Sequence, residues 1–223
     1  MLIVVAFMSQ KGGVGKSTLA RALAAVTVDY KIRVKLADLD PRQRTVATWQ
    51  ERRNDNRAGP RLEVISCGSI AEAMDKMSLR NELLIIDAPA GTSKHSLEIG
   101  NHADLVVQPS SASLDDLDPA ITLFHELVRA GVPRDRLVMA LCRVASQDEE
   151  KAARRYVEKA GYAVLDGSIP ERAVYREAHD LGKAVTETKV NARADALMGH
   201  LLRLTTEKVR ARVLASQARD KTA

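Results

Sequence analysis

The amino-acid sequence predicts a single-domain α/β protein with a doubly wound, mostly parallel sheet and helices on both faces. Short runs of apolar, mostly β-branched residues recur along the chain, and longer stretches with helical periodicity separate them. The runs are apolar throughout rather than alternating, which is typical of strands covered on both faces in a parallel sheet. At 223 residues the chain is long enough to bury one substantial core.

Strand and helix candidates alternate in chain order. The strand candidates are residues 2–7, 32–37, 62–66, 83–87, 104–108, 137–142 and 162–165. The helix candidates are residues 16–30, 43–57, 69–80, 113–131, 147–160 and 190–217. Because the sequence has no internal repeat, low-complexity tract or linker, we expect one domain over residues 1–217 and a polar C-terminal tail over residues 218–223.

Composition excludes several classes of protein. The two cysteines, Cys67 and Cys142, are isolated and the five histidines are scattered, so neither a disulfide framework nor a zinc or iron–sulfur site is indicated. No stretch has the character of a signal peptide or the length of a membrane span, which predicts a cytoplasmic protein. The net charge of +5 is concentrated, because residues 42–61 and 203–223 each hold six Lys and Arg against two Asp and Glu. Such runs are typical of solvated helix faces or of a surface for an anionic partner.

The segment between the first strand and the first helix predicts a phosphate-binding loop. Residues 10–17 read QKGGVGKS, and a strand, a glycine turn and a helix start are the context that a P-loop requires. Glycines at positions 12, 13 and 15 let backbone N–H groups point at phosphate, and the positive end of the helix dipole faces the same place. We expect Lys16 to contact the β- and γ-phosphates and the Ser17 hydroxyl to bind Mg²⁺. Gln10 departs from the strict pattern, which has glycine there.

The run Lys-Gly-Gly-Val-Gly-Lys-Ser-Thr, with a lysine at its start, resembles the deviant P-loop of the ParA/MinD family of ATPases, and the preceding Ser-Gln resembles the ParA branch. The resemblance covers nearly the full chain. It implies that Lys16 serves the nucleotide of its own subunit, whereas Lys11 reaches across a dimer interface to phosphates held by the other subunit. The nucleotide-binding residues that it implies in this loop are Lys11, Gly12, Gly13, Val14, Gly15, Lys16, Ser17 and Thr18.

Two later segments supply carboxylates to the same site. The sequence ADLDPRQ, with Asp38 and Asp40, is similar to the Asp-x-Asp-Pro-Gln segment of the family, although Arg42 stands where glutamine is usual. Carboxylates two residues apart at the end of a strand point to the same side. The resemblance implies that Asp40 positions or activates the attacking water, so the implied catalytic residues are Lys11, Lys16 and Asp40.

The sequence LLIIDAPAG is similar to the Walker B strand, with Asp87 at the strand end and residues 88–91 as a mobile switch segment. The implied metal-binding residues are Ser17, Asp38 and Asp87. Residues 166–185 resemble the part of the family in which a strand end, Ile-Pro and a following helix enclose adenine. This implies that Pro170 packs on the base and that Arg143, after strand 137–142, stacks over it.

The family resemblance implies a slow, Mg²⁺-dependent ATP hydrolase that forms a homodimer with ATP and binds nonspecific DNA of the nucleoid. A ParB-like or adaptor protein would stimulate hydrolysis and release the dimer, so that a plasmid, a chromosome or another large cargo is partitioned or positioned. The candidate DNA-binding residues are Arg176, Lys183, Lys189, Arg193, Arg203, Lys208, Arg210 and Arg212.

Three alternatives stay open at this point. A MinD-like membrane ATPase would end in an amphipathic helix, and residues 200–216 place leucines and valines between basic residues but lack the Trp or Phe that anchors such helices. A small-molecule enzyme of this fold, such as a dethiobiotin synthetase, would have no use for the lysine that opens the loop, and a nitrogenase iron protein would need bridging cysteines. A non-hydrolysing nucleotide sensor would keep the loop but make no use of Asp40.

Overall fold

The computed structural model describes residues 2–78, 80–91, 93–190 and 192–220, of which residues 93, 94 and 212–220 are described by their backbone alone. Its parallel sheet has strands β1 (Ile3–Ser9), β2 (Val34–Asp38), β3 (Glu63–Ser66), β4 (Leu83–Ala90), β5 (Leu105–Ser110), β6 (Leu137–Val144), β7 (Ala163–Val164) and β8 (Ile169–Pro170). The helices are α1 (Lys16–Asp29), α2 (Thr45–Asp55), α3 (Ile70–Asp75), α4 (Ser93–His102), α5 (Leu114–Arg129), α6 (Gln147–Lys159), α7 (Ala173–Asp180) and α8 (Ala192–Asp220). Short 3₁₀ turns cover Arg134–Arg136 and Val185–Glu187.

The strand order across the sheet is β3-β2-β4-β1-β5-β6-β7, with β8 beside β6, and each pairing is parallel. Helices cover both faces, as the apolar strands predict. One buried cluster joins the sheet to α1, α2, α7 and α8 through Leu19, Trp49, Tyr175 and Leu201. The other joins it to α3, α4, α5 and α6 through Ile70, Ile99, Phe124 and Val157. The predicted doubly wound α/β fold is confirmed.

The centre of the sheet positions the carboxylates. Asp38 is the last residue of β2, and the strand register places it beside Asp87 of β4. Asp87 in turn pairs with Phe7 of β1. The glycine-rich loop begins just after Ser9, the last residue of that strand. The ends of three adjacent strands therefore bring the loop and both carboxylates to one edge, where ligands bind in open α/β sheets.

Several elements differ from the sequence prediction. Helix α4 was not predicted, and α3 ends at Asp75 rather than continuing to residue 80. The chain turns after α3, because the Asn81 side-chain oxygen accepts hydrogen bonds from the backbone N–H and the hydroxyl of Ser78. Helix α8 runs to Asp220, into the segment predicted as a polar tail, and residues 221–223 lie outside the described part of the chain.

Strand β4 is also longer than predicted. It continues from Asp87 to Ala90, so Asp87 lies within the strand and residues 88–90 are strand rather than the predicted switch loop. An irregularity in β1 between Phe7 and Ser9 makes this possible, because it lets Ser9 pair with Ala90. In the described part of the chain, no helix combines the length and the apolar composition that crossing a membrane requires.

Candidate nucleotide-binding site

A polar cavity of about 300 Å³ lies at the ends of β1, β2 and β4. Its walls come from the glycine-rich loop, the start of α1, the loop after β2 and the end of β4. The residues that line it are Gly12, Gly13, Gly15, Lys16, Ser17, Thr18, Arg21, Asp38, Asp40, Gln43, Thr45, Asp87, Ala88, Pro89 and Ala90. The three sequence motifs therefore meet in one place.

Backbone geometry explains the glycine at the end of the loop. Gly15 is the residue before α1 and has a φ of 115°, a conformation that side chains disfavour. A Cβ atom there would lie 3.0 Å from the Cys142 sulfur, so the loop rests directly on β6. Close contact with the sheet directs the backbone of the loop toward the cavity. Val14, predicted as a nucleotide contact, is buried and does not line the cavity.

Lys16 points into the loop that carries it. Its ammonium group donates to the Ser9 hydroxyl at 3.0 Å and to the Lys11 carbonyl at 3.2 Å, and the side chain is largely buried. Burial lowers the pKa of Lys16, and the charges of Asp87 and Asp40 oppose that shift. A buried ammonium group that is held only by neutral oxygens is suited to an anionic ligand.

Lys11 points away from the cavity. Its ammonium group bonds to Asp116 at 2.8 Å, in the first turn of α5, and the side chain is 44% exposed. The hydrogen bond from Lys11 is the main reason that the pKa of Asp116 lies below its usual range. The two lysines of the loop therefore face different surroundings, one inside the cavity and one on the protein surface.

Ser17 and Asp87 form a pair on the floor of the cavity. The Ser17 hydroxyl donates to one Asp87 oxygen at 2.6 Å, while the other oxygen is buried and has no hydrogen-bond partner among the described residues. Burial raises the pKa of Asp87 to about 7, and the neighbouring Asp38 adds to the rise. An unpartnered buried carboxylate oxygen beside a hydroxyl is chemically suited to Mg²⁺, which takes oxygen ligands.

The described residues contain no cluster of three or more His, Cys, Asp and Glu side chains that could hold a metal ion by themselves. A magnesium ion commonly takes few ligands from protein and the others from phosphate oxygens and water. Ser17 and Asp87 would hold such an ion beside the loop, where it neutralises phosphate charge.

Asp38 connects the end of β2 to the start of α2. One carboxylate oxygen accepts from the Asp40 N–H at 3.0 Å, and the other accepts from the Val46 N–H at 2.9 Å. The second bond satisfies an N–H group in the first turn of α2, where the Arg44 side chain provides no cap. Asp38 thus holds both ends of residues 39–44, which we name the Asp40 loop.

Asp40 lies in the cavity wall and is half-buried. One carboxylate oxygen accepts from the Gln43 N–H at 3.0 Å, which fixes the side chain within its own loop. This leaves the other oxygen of the carboxylate for contacts in the cavity. The predicted site residues Lys16, Ser17, Asp38, Asp40 and Asp87 thus lie together.

Arg21 is a cavity residue that the sequence reasoning missed. It lies in α1, one turn after Ser17, and its guanidinium donates to the Thr45 carbonyl at 2.6 Å at the start of α2. The guanidinium also lies 5.3 Å from the centre of the Trp49 ring. Burial lowers the pKa of Arg21 to about 10, a shift that the charges of Asp87 and Asp38 oppose. The spacing of four residues from Ser17 was the available signal, because it places both side chains on one helix face.

The predicted adenine contacts lie outside this cavity. Arg143 belongs to β6 rather than following it, is exposed, and lies 3.6 Å from Glu171. Pro170 is buried in β8, whose register with β6 places it opposite Val144. Both lie beside Cys142, which contacts the phosphate loop, but neither lines the cavity, so their role stays a prediction.

The predicted DNA-binding residues have unequal surroundings. Arg193 is bound to Glu150, Lys208 to Asp135 at 2.7 Å and Arg203 to Asp166 at 3.3 Å. Arg176 lies 3.8 Å from Glu171, Lys183 is half-buried, and Lys189 and Arg210 are exposed. The Arg212 side chain lies outside the described residues.

The apolar residues of α8 pack on the domain. Leu201 is fully buried, and Leu202, Leu204 and Val209 contact the same core. A MinD-like amphipathic helix would need these side chains for a membrane, so the structure disfavours that use of residues 201–209. The side chains of Val213 and Leu214 lie outside the described residues.

Comparison with known proteins gives a family match over most of the chain. The profile of the CobQ/CobB/MinD/ParA nucleotide binding domain matches residues 5–185, which include the loop and all three carboxylates. Over 167 residues the chain is 28% identical to the maintenance of carboxysome distribution protein A of Gloeobacter kilaueensis, a match that covers 74% of this chain and 76% of that protein.

Two solved structures have the same fold. A chain of the MinC:MinD cell division protein complex from Aquifex aeolicus superposes with a TM-score of 0.73 at 16% identity, over 92% of this chain and 96% of that chain. The septum site-determining protein MinD of Pyrococcus horikoshii, complexed with Mg-ADP, gives a TM-score of 0.67 at 18% identity, over 93% and 96% of the two chains.

Proposed function

This chain belongs to the CobQ/CobB/MinD/ParA nucleotide-binding domain family, and from that premise we propose that it is a ParA-type ATPase. In this proposal it dimerises on ATP, binds nonspecific DNA, and is reset when a ParB-like or adaptor protein stimulates hydrolysis. Its task is to partition or position a plasmid, a chromosome or another large cargo. The relative that is named for carboxysome distribution supports a positioning task, and the MinC:MinD complex supports regulation by a partner protein.

One observation carries the proposal: the two lysines of the loop face different ways. Lys16 is buried against the loop, in reach of a phosphate that the backbone N–H groups would bind. Lys11 lies on the surface against Asp116, where exchanging one carboxylate for another anion is inexpensive. A triphosphate in the cavity of a second subunit is such an anion. ATP would then form part of the dimer interface.

The proposal includes slow basal turnover, and the residues of the cavity support it. Asp40 would orient a water molecule, and Ser17 with Asp87 would hold Mg²⁺, which neutralises charge on the transferred phosphoryl group. Among the described residues, the cationic side chains that line the cavity are Lys16 and Arg21, and Arg21 is bound to Thr45. Further cationic stabilisation of the transition state has to come from a second protein chain.

Two single substitutions test the proposal. We expect Lys16→Ala to lose binding of a fluorescent ATP analogue, because it removes the buried cation of the cavity. We expect Lys11→Ala to bind the analogue within about threefold of the wild-type affinity, since its side chain lies outside the cavity, but to stay monomeric with ATP and Mg²⁺. Sedimentation velocity measures the second result, and dimerisation of Lys11→Ala at the wild-type concentration would contradict the proposal.

A further inference from the structure

Helix α2 adjoins α7 and the segment that follows it. The Trp49 indole N–H donates to the Lys183 carbonyl at 3.2 Å, and Arg53 donates to the Gly182 carbonyl at 2.9 Å. At the exposed side of this contact, Arg52 lies 3.7 Å from Asp180. Contacts between residues that are more than one hundred positions apart in sequence therefore hold α2 against α7 and the segment after it.

The exposed residues of α2 and its flanking loops are strongly cationic. We name this region the α2 surface; its exposed cations are Arg42, Arg44, Arg52, Arg57 and Arg61. The carboxylates of the same segment are Glu51 and Asp55, and the buried Arg53 is neutralised by Glu187. The side chains of Arg42, Arg57 and Arg61 form no hydrogen bond or ion pair with any residue that the structure describes.

Backbone conformation singles out two of these arginines. Arg44 and Arg57, just before and just after α2, both have a φ of 49°, in the left-handed region that favours glycine or asparagine. Long cationic side chains therefore stand at the two positions where glycine would relieve the backbone. Lys31 and Arg143, outside the α2 surface, have the same backbone conformation.

Helix α8 offers a weaker cationic surface, although its sequence carries as many basic residues. Arg203 and Lys208 already face Asp166 and Asp135, and Arg193 faces Glu150. Each of these arginines and lysines would have to leave a carboxylate before it could contact a phosphate. On the α2 surface, Arg44 faces Glu51 and Arg52 faces Asp180, whereas Arg42, Arg57 and Arg61 have no carboxylate partner to leave among the described residues.

The chemistry of the α2 surface suits a nucleic acid better than a lipid bilayer. None of the exposed large apolar residues of the described chain lies within residues 42–61, and a membrane-binding helix needs an apolar face. Contacts to a phosphate backbone need only cations. A duplex that lies along the 11 residues of α2, about 16 Å, carries roughly ten phosphates on its two strands over that length, and those on the near side would face the helix.

Resting on the proposed function, we propose that the α2 surface, rather than α8, is the principal contact for nonspecific duplex DNA. Arg42 and Arg44 belong to the Asp40 loop, which Asp38 and Arg21 connect to the nucleotide cavity. Part of the DNA surface therefore lies on the loop that lines the nucleotide site. This gives ATP a direct structural route to control DNA affinity, because any movement of the Asp40 loop displaces two of the cations that contact DNA.

The test compares two triple variants that lose the same charge. One is Arg42→Ala/Arg57→Ala/Arg61→Ala, and the matched control is Arg203→Ala/Lys208→Ala/Arg210→Ala. A 30-base-pair duplex of random sequence, titrated with ATP and Mg²⁺ over a salt series, gives the affinity and its salt dependence. We expect the first variant to bind at least about tenfold more weakly, with a salt slope lower by about one per removed cation, and the control to stay within about threefold of wild type.

Sedimentation velocity with ATP shows whether each variant still dimerises. If the first triple variant fails to dimerise, Arg57→Ala/Arg61→Ala decides the question, because both residues lie outside the Asp40 loop. The inference is overturned if the α2 variant that still dimerises binds DNA with unchanged affinity, or if the α8 control loses affinity. It is also overturned if the wild type binds anionic phosphatidylglycerol vesicles but not DNA. If the wild type binds neither DNA nor vesicles with any nucleotide, the proposed DNA-binding function itself falls.

Discussion

Arg21 shows how one side chain connects the phosphate-binding helix to the loop that carries Asp40. Its guanidinium is bound to the Thr45 carbonyl, and Thr45 begins the helix whose next N–H group is held by Asp38. A charged group in this position holds the start of α2 against α1, close to the charges of Asp87 and Asp38. Arg21 lines the cavity, and through its bond to the Thr45 carbonyl we expect it to act as a positioning residue for Asp40.

We expect Arg21→Met to lower kcat for ATP roughly tenfold while KM changes less than about twofold, because Asp40 loses its support but the phosphate loop stays intact. Arg21→Lys should recover most of kcat. Trp49, the only tryptophan, packs against Arg21. The change in Trp49 fluorescence on binding of Mg²⁺ and ATP should therefore be smaller in Arg21→Met. The binding stoichiometry should stay at the wild-type value.

Arg154→Met is the matched control, since Arg154 is a partly buried arginine bound to Glu150 and the Leu165 carbonyl rather than to cavity residues. It should keep both the wild-type kcat and the Trp49 response. A wild-type kcat in Arg21→Met would show that Arg21 does not position Asp40.

The meeting of the motif residues could be predicted from the sequence, because each motif lies in the carboxyl-terminal part of an apolar strand or just after it, and these parts of parallel strands meet at one edge. Asp38 and Asp87 are neighbours for this reason alone. Arg21 was not predictable with the same certainty, since its role depends on α2 turning back over α1, and no local pattern encodes that contact. The direction in which the Lys11 side chain points could not be predicted either, because its partner Asp116 is more than one hundred residues away in the sequence.

At the scale of elements, α2 and the segment after α7 form one unit. The Arg53 guanidinium is fully buried and bidentate to Glu187, at 2.8 and 2.7 Å. A Cβ atom at position 182 would lie 2.2 Å from the backbone nitrogen of Arg53, so only glycine allows α2 to approach this closely. The φ of 73° at Gly182 also favours glycine. We therefore expect α2 and α7 to unfold together.

His179 of α7 makes this unit sensitive to acid. Burial, and secondly the charge of Arg21, lower the pKa of His179 to about 4. Above pH 6.5 the imidazole is neutral in both the folded and the unfolded chain. Below pH 6.5 the unfolded chain takes up a proton that the folded protein refuses until about pH 4, so the stabilisation is lost as the pH falls through this range.

The free energy of unfolding, measured in urea, should fall between pH 7 and pH 4 in the wild type and fall less in His179→Leu. We expect the difference between the two falls to be on the order of 2–3 kcal/mol. His102→Gln, which changes an exposed histidine of α4, should follow the wild type. Parallel pH curves for the wild type and His179→Leu would show that His179 titrates normally.

Among the helices, α4 shows why part of the fold could not be predicted. Its sequence is polar and contains Gly100, which lowers helix propensity. In the structure, a Cβ atom at position 100 would lie 2.9 Å from a Leu127 methyl group, so the glycine lets α4 pack closely on α5. Tertiary packing therefore overrides the local preference. Helices α1, α5 and α6, by contrast, follow their apolar periodicity to within two residues of the predicted ends.

At the scale of the whole molecule, the account makes the site complete only in a pair of protomers. The cavity holds Lys16, Ser17, Asp40 and Asp87 of one chain, while Lys11 of the same chain lies outside it on Asp116. In the proposed two-fold dimer, each Lys11 would lie opposite the cavity of the other protomer, so that each active site would contain residues from two chains. The central claim is that Lys11 works across the interface.

Mixing two inactive variants tests whether Lys11 acts on the nucleotide of the other protomer. Lys11→Ala keeps its own Asp40, and Asp40→Ala keeps its own Lys11, so a dimer of the two contains one site with every residue intact if Lys11 acts across the interface. Because Lys11→Ala is not expected to pair with itself, the dimers that form are mixed dimers, with one of two sites active, and dimers of two Asp40→Ala protomers, which are inactive. An equal mixture should therefore hydrolyse ATP well above the rate of either variant alone and at no more than about half of the wild-type rate. If Lys11 instead serves the nucleotide of its own subunit, both sites of the mixed dimer are defective and the mixture stays as inactive as its two components.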